Sequence, residues 1–182
     1  MYEKYFKRIL DIIFSLIIIV VSSPVFLIAL IVSFLEFKAP PVFIQERVGK
    51  RGVKFKMLKI RTIMTNINGH QSISNVCSLI RKIGIDEIPQ FFNVLKGDMS
   101  IVGPRPLLQK DFDYLSTFFG NRTSAFYQVR PGITGLAQIN GRKNISWERR
   151  VELNCKYAER IDFYRDLEII QKTIKVLLDY SE

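Results

Sequence analysis

An almost unbroken apolar run from Ile9 to Phe37 constrains this chain more than any other feature. About 20 apolar residues suffice to cross the hydrocarbon core of a bilayer, so the run predicts membrane association. Ser22-Ser23-Pro24 interrupts it near its middle. A proline inside a helix removes a backbone donor, clashes with the preceding turn and pushes the residue before it, here Ser23, away from helical dihedrals. Carbonyls freed in lipid need partners, and the hydroxyls of Ser22 and Ser23 are placed to supply them. The arms on either side, Ile12 to Val21 and Val25 to Leu35, each reach about half a membrane. Lys4, Lys7 and Arg8 precede the run, and Lys38, Arg47, Lys50, Arg51, Lys54, Lys56, Lys59 and Arg61 follow it. Basic flanks stay on the cytoplasmic side, so a hairpin that re-enters at Ser23-Pro24 satisfies both ends at once. A kinked spanning helix is the alternative. No small-residue cleavage site follows the run, so no signal peptide is expected.

The 182 residues leave room for one further domain of ordinary size. Residues 1–38 are read as the re-entrant anchor and 39–182 as one domain on the cytoplasmic side. The net charge of +10 is concentrated just after the apolar run and suits anionic headgroups, phosphate-bearing substrates or both. No nucleic-acid motif accompanies it, so nucleic acid is not an expected partner. His70 is the only histidine, and Cys77 and Cys155 lie far apart. Zinc sites and histidine-assisted nucleophiles are thereby nearly excluded, and two reduced thiols fit a cytoplasmic face.

Met1 to Arg8 reads as a basic amphipathic lead-in, and Asp11 is expected to pair with Lys7 or Arg8 one turn away. After Pro40-Pro41 the pattern alternates: Val42 to Val48, a Gly49-Lys50-Arg51-Gly52 loop, then Val53 to Arg61 predict a two-stranded hairpin. Its lysines are either a solvated face or a phosphate-binding one. Asn66 to Asn75 reads as a mobile polar loop, and Val76 to Lys82 as a short helix. Asp86 is placed as an N-cap, with Pro89 in the first turn and Gly97 as terminator. Asp111 to Phe119 predicts another helix, and Val129 to Gly135 a glycine-rich turn. Ser146 caps a helix from Trp147 to Arg160 that puts Trp147, Val151, Ala158 and Ile161 on one face. A last helix, about Asp166 to Tyr180, carries Leu167, Ile170, Ile174, Leu177 and Leu178 as a stripe of the kind that usually enters a core. The sum is an α-rich α+β chain: a helix-break-helix anchor, a small β-hairpin and several short helices against the membrane.

Asp86-Glu87 is the pair most suited to chemistry. A carboxylate at a helix N-terminus meets free N–H groups and the positive end of the dipole, which predicts that it stays ionised. Ionised carboxylates are ligands for Mg²⁺ and can also attack phosphorus to form an acyl phosphate. Helix capping alone explains the same two residues. Arg81, Arg105 (between two prolines), Arg130 (opening a Pro-Gly turn) and Arg142 (after Gly141) shift the balance toward anion binding. Arginine forks match phosphate oxygens, and rigid mounting lowers the ordering cost. No nucleotide-binding glycine motif is present.

The segments KRILDIIFS…SSP, VFIQERVG…FKMLKIRT, IRKIGIDEIPQFFNVLKGDMSIVGPRPLL, VRPGITGLAQINGR and SWERRVELNCKYAE occur in unbroken order through essentially the whole chain. Together they resemble the bacterial sugar transferases, small monotopic phosphoglycosyl transferases, and this chain looks like their minimal catalytic unit. The resemblance implies transfer of sugar-1-phosphate from a UDP-sugar to undecaprenyl phosphate, releasing UMP, at the cytoplasmic face of the inner membrane. Exopolysaccharide, capsule, O-antigen or glycoprotein glycans are the implied products, with inner-membrane lipids and downstream glycosyltransferases as further partners. Carried over by motif, Asp86 is the nucleophile and Mg²⁺ ligand, Glu87 its partner, Arg105 a phosphate binder and Arg81 a basic residue turned toward the site. Lys59 and Arg61 match the family's basic strand, and Ser23-Pro24 its re-entrant break. This chain departs from the family at Arg61-Thr62-Ile63-Met64-Thr65-Asn66, where acidic residues usually follow, which leaves donor choice open. Two other classes compete: a non-catalytic anionic-lipid-binding protein and a Mg²⁺-dependent lipid-diphosphate hydrolase.

Overall fold

A computed structural model describes residues 2–65, 71–141 and 144–179. The apolar run forms one helical element, α1 (Lys7–Phe37), with Pro24 inside it. Where the sequence predicts two arms separated by a break, the helix continues through the proline. The repair is local. Residue 24 has no N–H to give the Val20 carbonyl, and Ser23 Oγ donates to that oxygen at 2.8 Å while Ser22 Oγ donates to Ile18 at 2.6 Å.

The predicted hairpin follows as β1 (Val42–Val48) and β2 (Lys54–Ile60), antiparallel with Phe43 opposite Lys59. Period-two alternation buries Phe55 and Met57 on one face of β2 and leaves Lys54 and Lys56 in solvent. Lys59 continues the buried parity, whereas Ile60 points to the opposite face and packs on Ala29 of α1. Two-residue strands β3 (Met64–Thr65) and β4 (Gln71–Ser72) pair antiparallel; the rest of the predicted polar loop, 66–70, lies outside the described residues.

Helix α2 (Asn75–Lys82) is capped by Ser74, whose hydroxyl accepts from the Cys77 N–H. Gly84, at φ 78°, reverses the chain into a 3₁₀ turn, Ile85–Glu87, and α3 (Gln90–Lys96) ends at Gly97 as expected. Asp86 therefore sits within a tight turn and not at the cap of α3. Next come β5 (Ser100–Val102), α4 (Gln109–Phe119), α5 (Asn121–Phe126), β6 (Gly132–Thr134), α6 (Leu136–Ile139), α7 (Trp147–Glu159) and α8 (Phe163–Asp179). Ser146 caps α7 through the Arg149 N–H as predicted.

Two predicted features differ in detail. Asp11 does not pair with Lys7; it is buried and accepts from Ser100 Oγ (3.1 Å) and the Ile101 N–H (3.0 Å) of β5. Lys7 reaches Asp166 of α8 instead, at 2.6 Å, and Tyr157 Oη lies 2.8 Å from the same carboxylate. The face of α8 turned inward is accordingly Asp166, Ile169 and Thr173, and the expected stripe residues Leu167 and Ile174 are exposed. Asp166 decides the rotation of the helix, because a buried carboxylate needs its partners more than a leucine needs shelter.

Parallel strands β5 and β6 cross at a backbone contact that only glycine permits. The Gly103 N–H donates to Thr134 O and the Gly132 N–H to Pro104 O, both at 2.8 Å. A Cβ on Gly103 would overlap the Arg130 carbonyl oxygen and lie 2.8 Å from the Gly132 nitrogen. Gly103→Ala is expected to cost about 2–3 kcal/mol, by analogy with overpacked cores, and to lower the melting temperature in detergent by roughly 5–10 °C. Differential scanning fluorimetry checks this, and an unchanged midpoint would show that the two strands can separate without penalty.

Candidate active site

The carboxylates of the 3₁₀ turn lie where three pieces of the domain meet α1. Ile85, just before the pair, belongs to the cluster formed by Ala29, Ile60 and Ile80, with Phe26 and Leu30 of α1 packed beside it. Asp86 is buried, Glu87 half-buried. On the strand side, α3 is pinned to the edge of β2 by Asn93, which accepts from the Leu58 N–H (3.0 Å) and donates to Lys56 O (2.8 Å). That docking, with the parity of β2, delivers the Lys59 ammonium to Glu87 Oε1 at 2.8 Å. Arg105 stands 3.9 Å from the same oxygen.

The loop bearing Arg105 is clamped at each residue around it. Pro104 O accepts from the Gly132 N–H (2.8 Å), Pro106 O from Arg47 (3.3 Å) and Leu107 O from the Val48 N–H (2.9 Å). The guanidinium thus projects from a fixed turn. Arg81, in the last turn of α2, approaches Thr62 Oγ1 at 3.5 Å and bears electrostatically on Asp86.

The fields acting on the two acids oppose each other. Burial, and then the Glu87 charge, push Asp86 up to about 6 against the pull of Lys59 and Arg81. Burial would also raise Glu87, but Lys59 and Arg105 outweigh it and hold that carboxyl below its ordinary value. The expectation that a helix end keeps Asp86 ionised holds at neutral pH but with a narrower margin: desolvation exceeds the effect of a one-turn 3₁₀ segment and brings the titration up to about 6. One acid is firmly ionised and occupied, and its neighbour is buried and titrates close to neutrality, as suits a nucleophile that must also leave.

Positive charge exceeds what the acids neutralise. Burial, followed by repulsion from Arg105, lowers the Arg47 guanidinium, and the same two causes act on Arg150. Arg150 lies 4.4 Å over the Trp147 ring, so an aromatic face props it toward this cluster. Neither arginine stands out in the sequence as a site residue. Arg47 alternates within an ordinary strand and Arg150 sits in an amphipathic helix, and only their shared proximity to Arg105 reveals them. The cluster suits a compact polyanion such as a diphosphate.

Of the residues expected at the site, the fold brings together Asp86, Glu87, Lys59, Arg105 and Arg81. Arg61 is used elsewhere: its Nε donates to Pro40 O at 3.0 Å and its guanidinium lies 5.8 Å over Phe43, which pins the connection from α1 to β1. Arg130 donates to Gly97 O at 3.0 Å, at the far end of α3. Arg142 falls outside the described residues. Among the described residues no three metal-ligating side chains of the His, Cys, Asp and Glu types converge. A cation held by one or two carboxylates and completed by substrate phosphates needs no such triad, and Asp86 beside Glu87 fits that mode for Mg²⁺.

Comparison with known proteins accords with this geometry. The family model described as bacterial sugar transferase matches residues 2–180. The uncharacterized sugar transferase EpsL of Bacillus subtilis is 38% identical over 179 residues, covering 94% of this chain and 87% of that protein. The UDP-glucose:undecaprenyl-phosphate glucose-1-phosphate transferase of Caulobacter vibrioides is 34% identical over 94% of this chain and 69% of its own length. The undecaprenyl-phosphate galactose phosphotransferase of Salmonella typhimurium is 30% identical over 97% of this chain, which spans 41% of that longer protein. With the match running from one end to the other, the chain belongs to the bacterial sugar transferase family.

Proposed function

We propose that this protein transfers a sugar-1-phosphate from a UDP-sugar to undecaprenyl phosphate and so primes the assembly of a polysaccharide. The observation that carries the reading is the buried Asp86 carboxylate among cations that Glu87 only partly neutralises. In the first step an Asp86 oxygen attacks the sugar-bearing phosphorus, the bond to the bridging oxygen breaks and UMP leaves. In the second, an oxygen of the lipid phosphate attacks that phosphorus and the carboxylate departs, giving the lipid diphosphate-linked sugar. One phosphoanhydride replaces another, so no external energy source is needed.

Each side chain has a task in this scheme. Lys59 and Arg105 hold Glu87 ionised and, with Arg47 and Arg150, offset the charge of the incoming diphosphate. Glu87 raises the basicity of Asp86 and so strengthens it as a nucleophile. Mg²⁺, held by Asp86 and the substrate, would supply Lewis-acid neutralisation of the phosphate oxygens.

The anchor supports the second step. Asp11 and Ser33 lie on the same helix about 33 Å apart along a straight axis, close to a full hydrocarbon thickness. Both are nevertheless hydrogen-bonded to one domain, Asp11 to β5 and Ser33 Oγ to the Arg61 carbonyl at 2.7 Å. Between them Val20 and Val21 are about 70% exposed (69% and 74%). A domain on one side of a bilayer cannot hold both ends of a straight spanning helix. A re-entrant α1, with its apolar apex in lipid and both ends at the cytoplasmic surface, suits these contacts and sets the dyad at the level of lipid phosphates.

Four measurements test the reading. Asp86→Asn should lower UMP release by roughly 10³-fold or more while membrane association is kept. Wild-type protein incubated with a panel of UDP-sugars and Mg²⁺ should gain one sugar phosphate on the peptide containing Asp86. Turnover in the Asn variant, or an adduct elsewhere, would displace Asp86 as nucleophile. The pH profile of kcat/KM should fall about tenfold per unit below pH 6, where the free Asp86 is protonated, and level off above it. Because Lys59 lowers Asp86, Lys59→Met should move that acid limb to higher pH; a limb that stays put assigns it to another group. Single-cysteine labels replacing Lys4 and Arg51 should both react from the cytoplasmic side, and reaction from opposite sides would exclude re-entry.

A further inference from the structure

A second group of cations meets where α1 begins, away from the dyad. Arg8 donates to Val94 O (2.6 Å) and Leu95 O (2.9 Å), and Arg130 to Gly97 O (3.0 Å), so two guanidiniums close on the C-terminal end of α3. Lys50 joins them from the β1–β2 loop. The three line one cavity of about 40 Å³, with Ser100 and Asp11 in its wall. Roughly 10–15 Å³ of such space holds one water, so this cavity admits the several oxygens of a phosphate group.

The acids nearby offset only part of this charge: Glu3, also in the wall, bears on Lys50 and Asp11 on Arg8, and neither closes to an ion pair with them. Lys7, also in the wall, is taken by Asp166 at 2.6 Å, and Asp11 Oδ1 accepts from Ser100 and Ile101. Among the described residues, Arg8, Lys50 and Arg130 make no ion pair within 4 Å. The carbonyl end of a two-turn helix offsets only part of their charge. Burial, then Arg130 and Arg51, hold the Lys50 ammonium below its ordinary value, as mutual repulsion requires. Each guanidinium keeps N–H donors beyond those spent on α3.

We infer that this cavity binds a phosphate group, carried by the headgroup of an anionic membrane lipid. The source of the phosphate is argued from position and rests on the membrane reading above. The apolar run starts at Ile9, directly after Arg8, and Tyr5 and Phe6 stand exposed just before it. Aromatic and basic side chains meet headgroups at this level of a bilayer. The site is separate from the proposed catalytic one: Arg8 and Arg130 hold carbonyls at the end of α3, Val94 to Gly97, whereas Asp86 and Glu87 lie in the turn before its start at Gln90. A lipid phosphate here would lock the first turn of α1, the end of α3 and the β1–β2 loop to one another.

The test uses full-length protein in a neutral detergent, with the melting temperature as readout. Short-chain phosphatidylglycerol should raise it by roughly 3–5 °C near saturation, with little response to short-chain phosphatidylcholine or to inorganic phosphate at equal concentration. Lys50→Gln with Arg130→Gln should raise the lipid concentration needed by about tenfold, and Lys50→Gln alone, on a half-buried loop side chain, by about threefold. An equal response to phosphatidylcholine, or an unchanged response in both variants, overturns the site. An equal response to inorganic phosphate overturns the lipid as its bearer. Flotation on phosphatidylcholine vesicles, expected for wild type and variants alike, tests membrane association separately. Failure of the wild type to float would sink the membrane reading while leaving the phosphate response in detergent to be judged by itself.

Discussion

Two hydrogen-bonded anchor points, Asp11 on β5 and Ser33 on the carbonyl of Arg61, decide how the rest of the molecule is arranged. They fasten both arms of a 31-residue apolar helix to one small domain. Between them the helix offers the domain a narrow face, including Ser15, Ala29 and Ser33, against which α3, β2 and the turn of Asp86 settle. The turn that bears Asp86 and Glu87 is therefore built on this helix. Displacing its second arm, with Phe26, Ala29 and Leu30, would move Ile85, and with it the carboxylates.

The site is an exercise in deliberate imbalance. Cations from four separate elements, Lys59, Arg81, Arg105 and Arg150, gather with Arg47 around Asp86 and Glu87, with Asp111 acting on the two outer arginines, Arg47 and Arg150. Arg105, exposed, projects from a turn that can hardly rearrange. A domain of this size gains little from such repulsion unless an anion regularly relieves it. The two acids divide the work. Glu87 is tied to Lys59, while Asp86 is kept dry and poorly compensated, the state that the proposed attack on phosphorus requires.

Much of this was legible along the chain, because the signals were local. The apolar run, the alternation of Val53 to Ile60, the Ser146 cap and the glycine after Lys96 each act within a few residues. The dyad and Arg105 were legible as motifs. What could not be read depends on partners far apart in sequence. The β5–β6 pair joins Ser100 to Gly132 through three-residue strands too short to show a period. Asn93 looks like any helical asparagine until β2 lies beside it. Asp166 looked like a helix-start acid, yet its burial against Lys7 and Tyr157 set the rotation of α8 and left Leu167 outside. Arg61 and Arg130 carried the right chemistry in the right kind of turn, and only the fold assigns them to structural carbonyls instead of the dyad.

The serine hydroxyl that answers the Val20 carbonyl bears on where the middle of α1 can go. On the proposed membrane reading, the acceptor that Pro24 strands is met from within the helix itself. That stretch can then enter hydrocarbon without borrowing a donor from water or from a neighbouring helix.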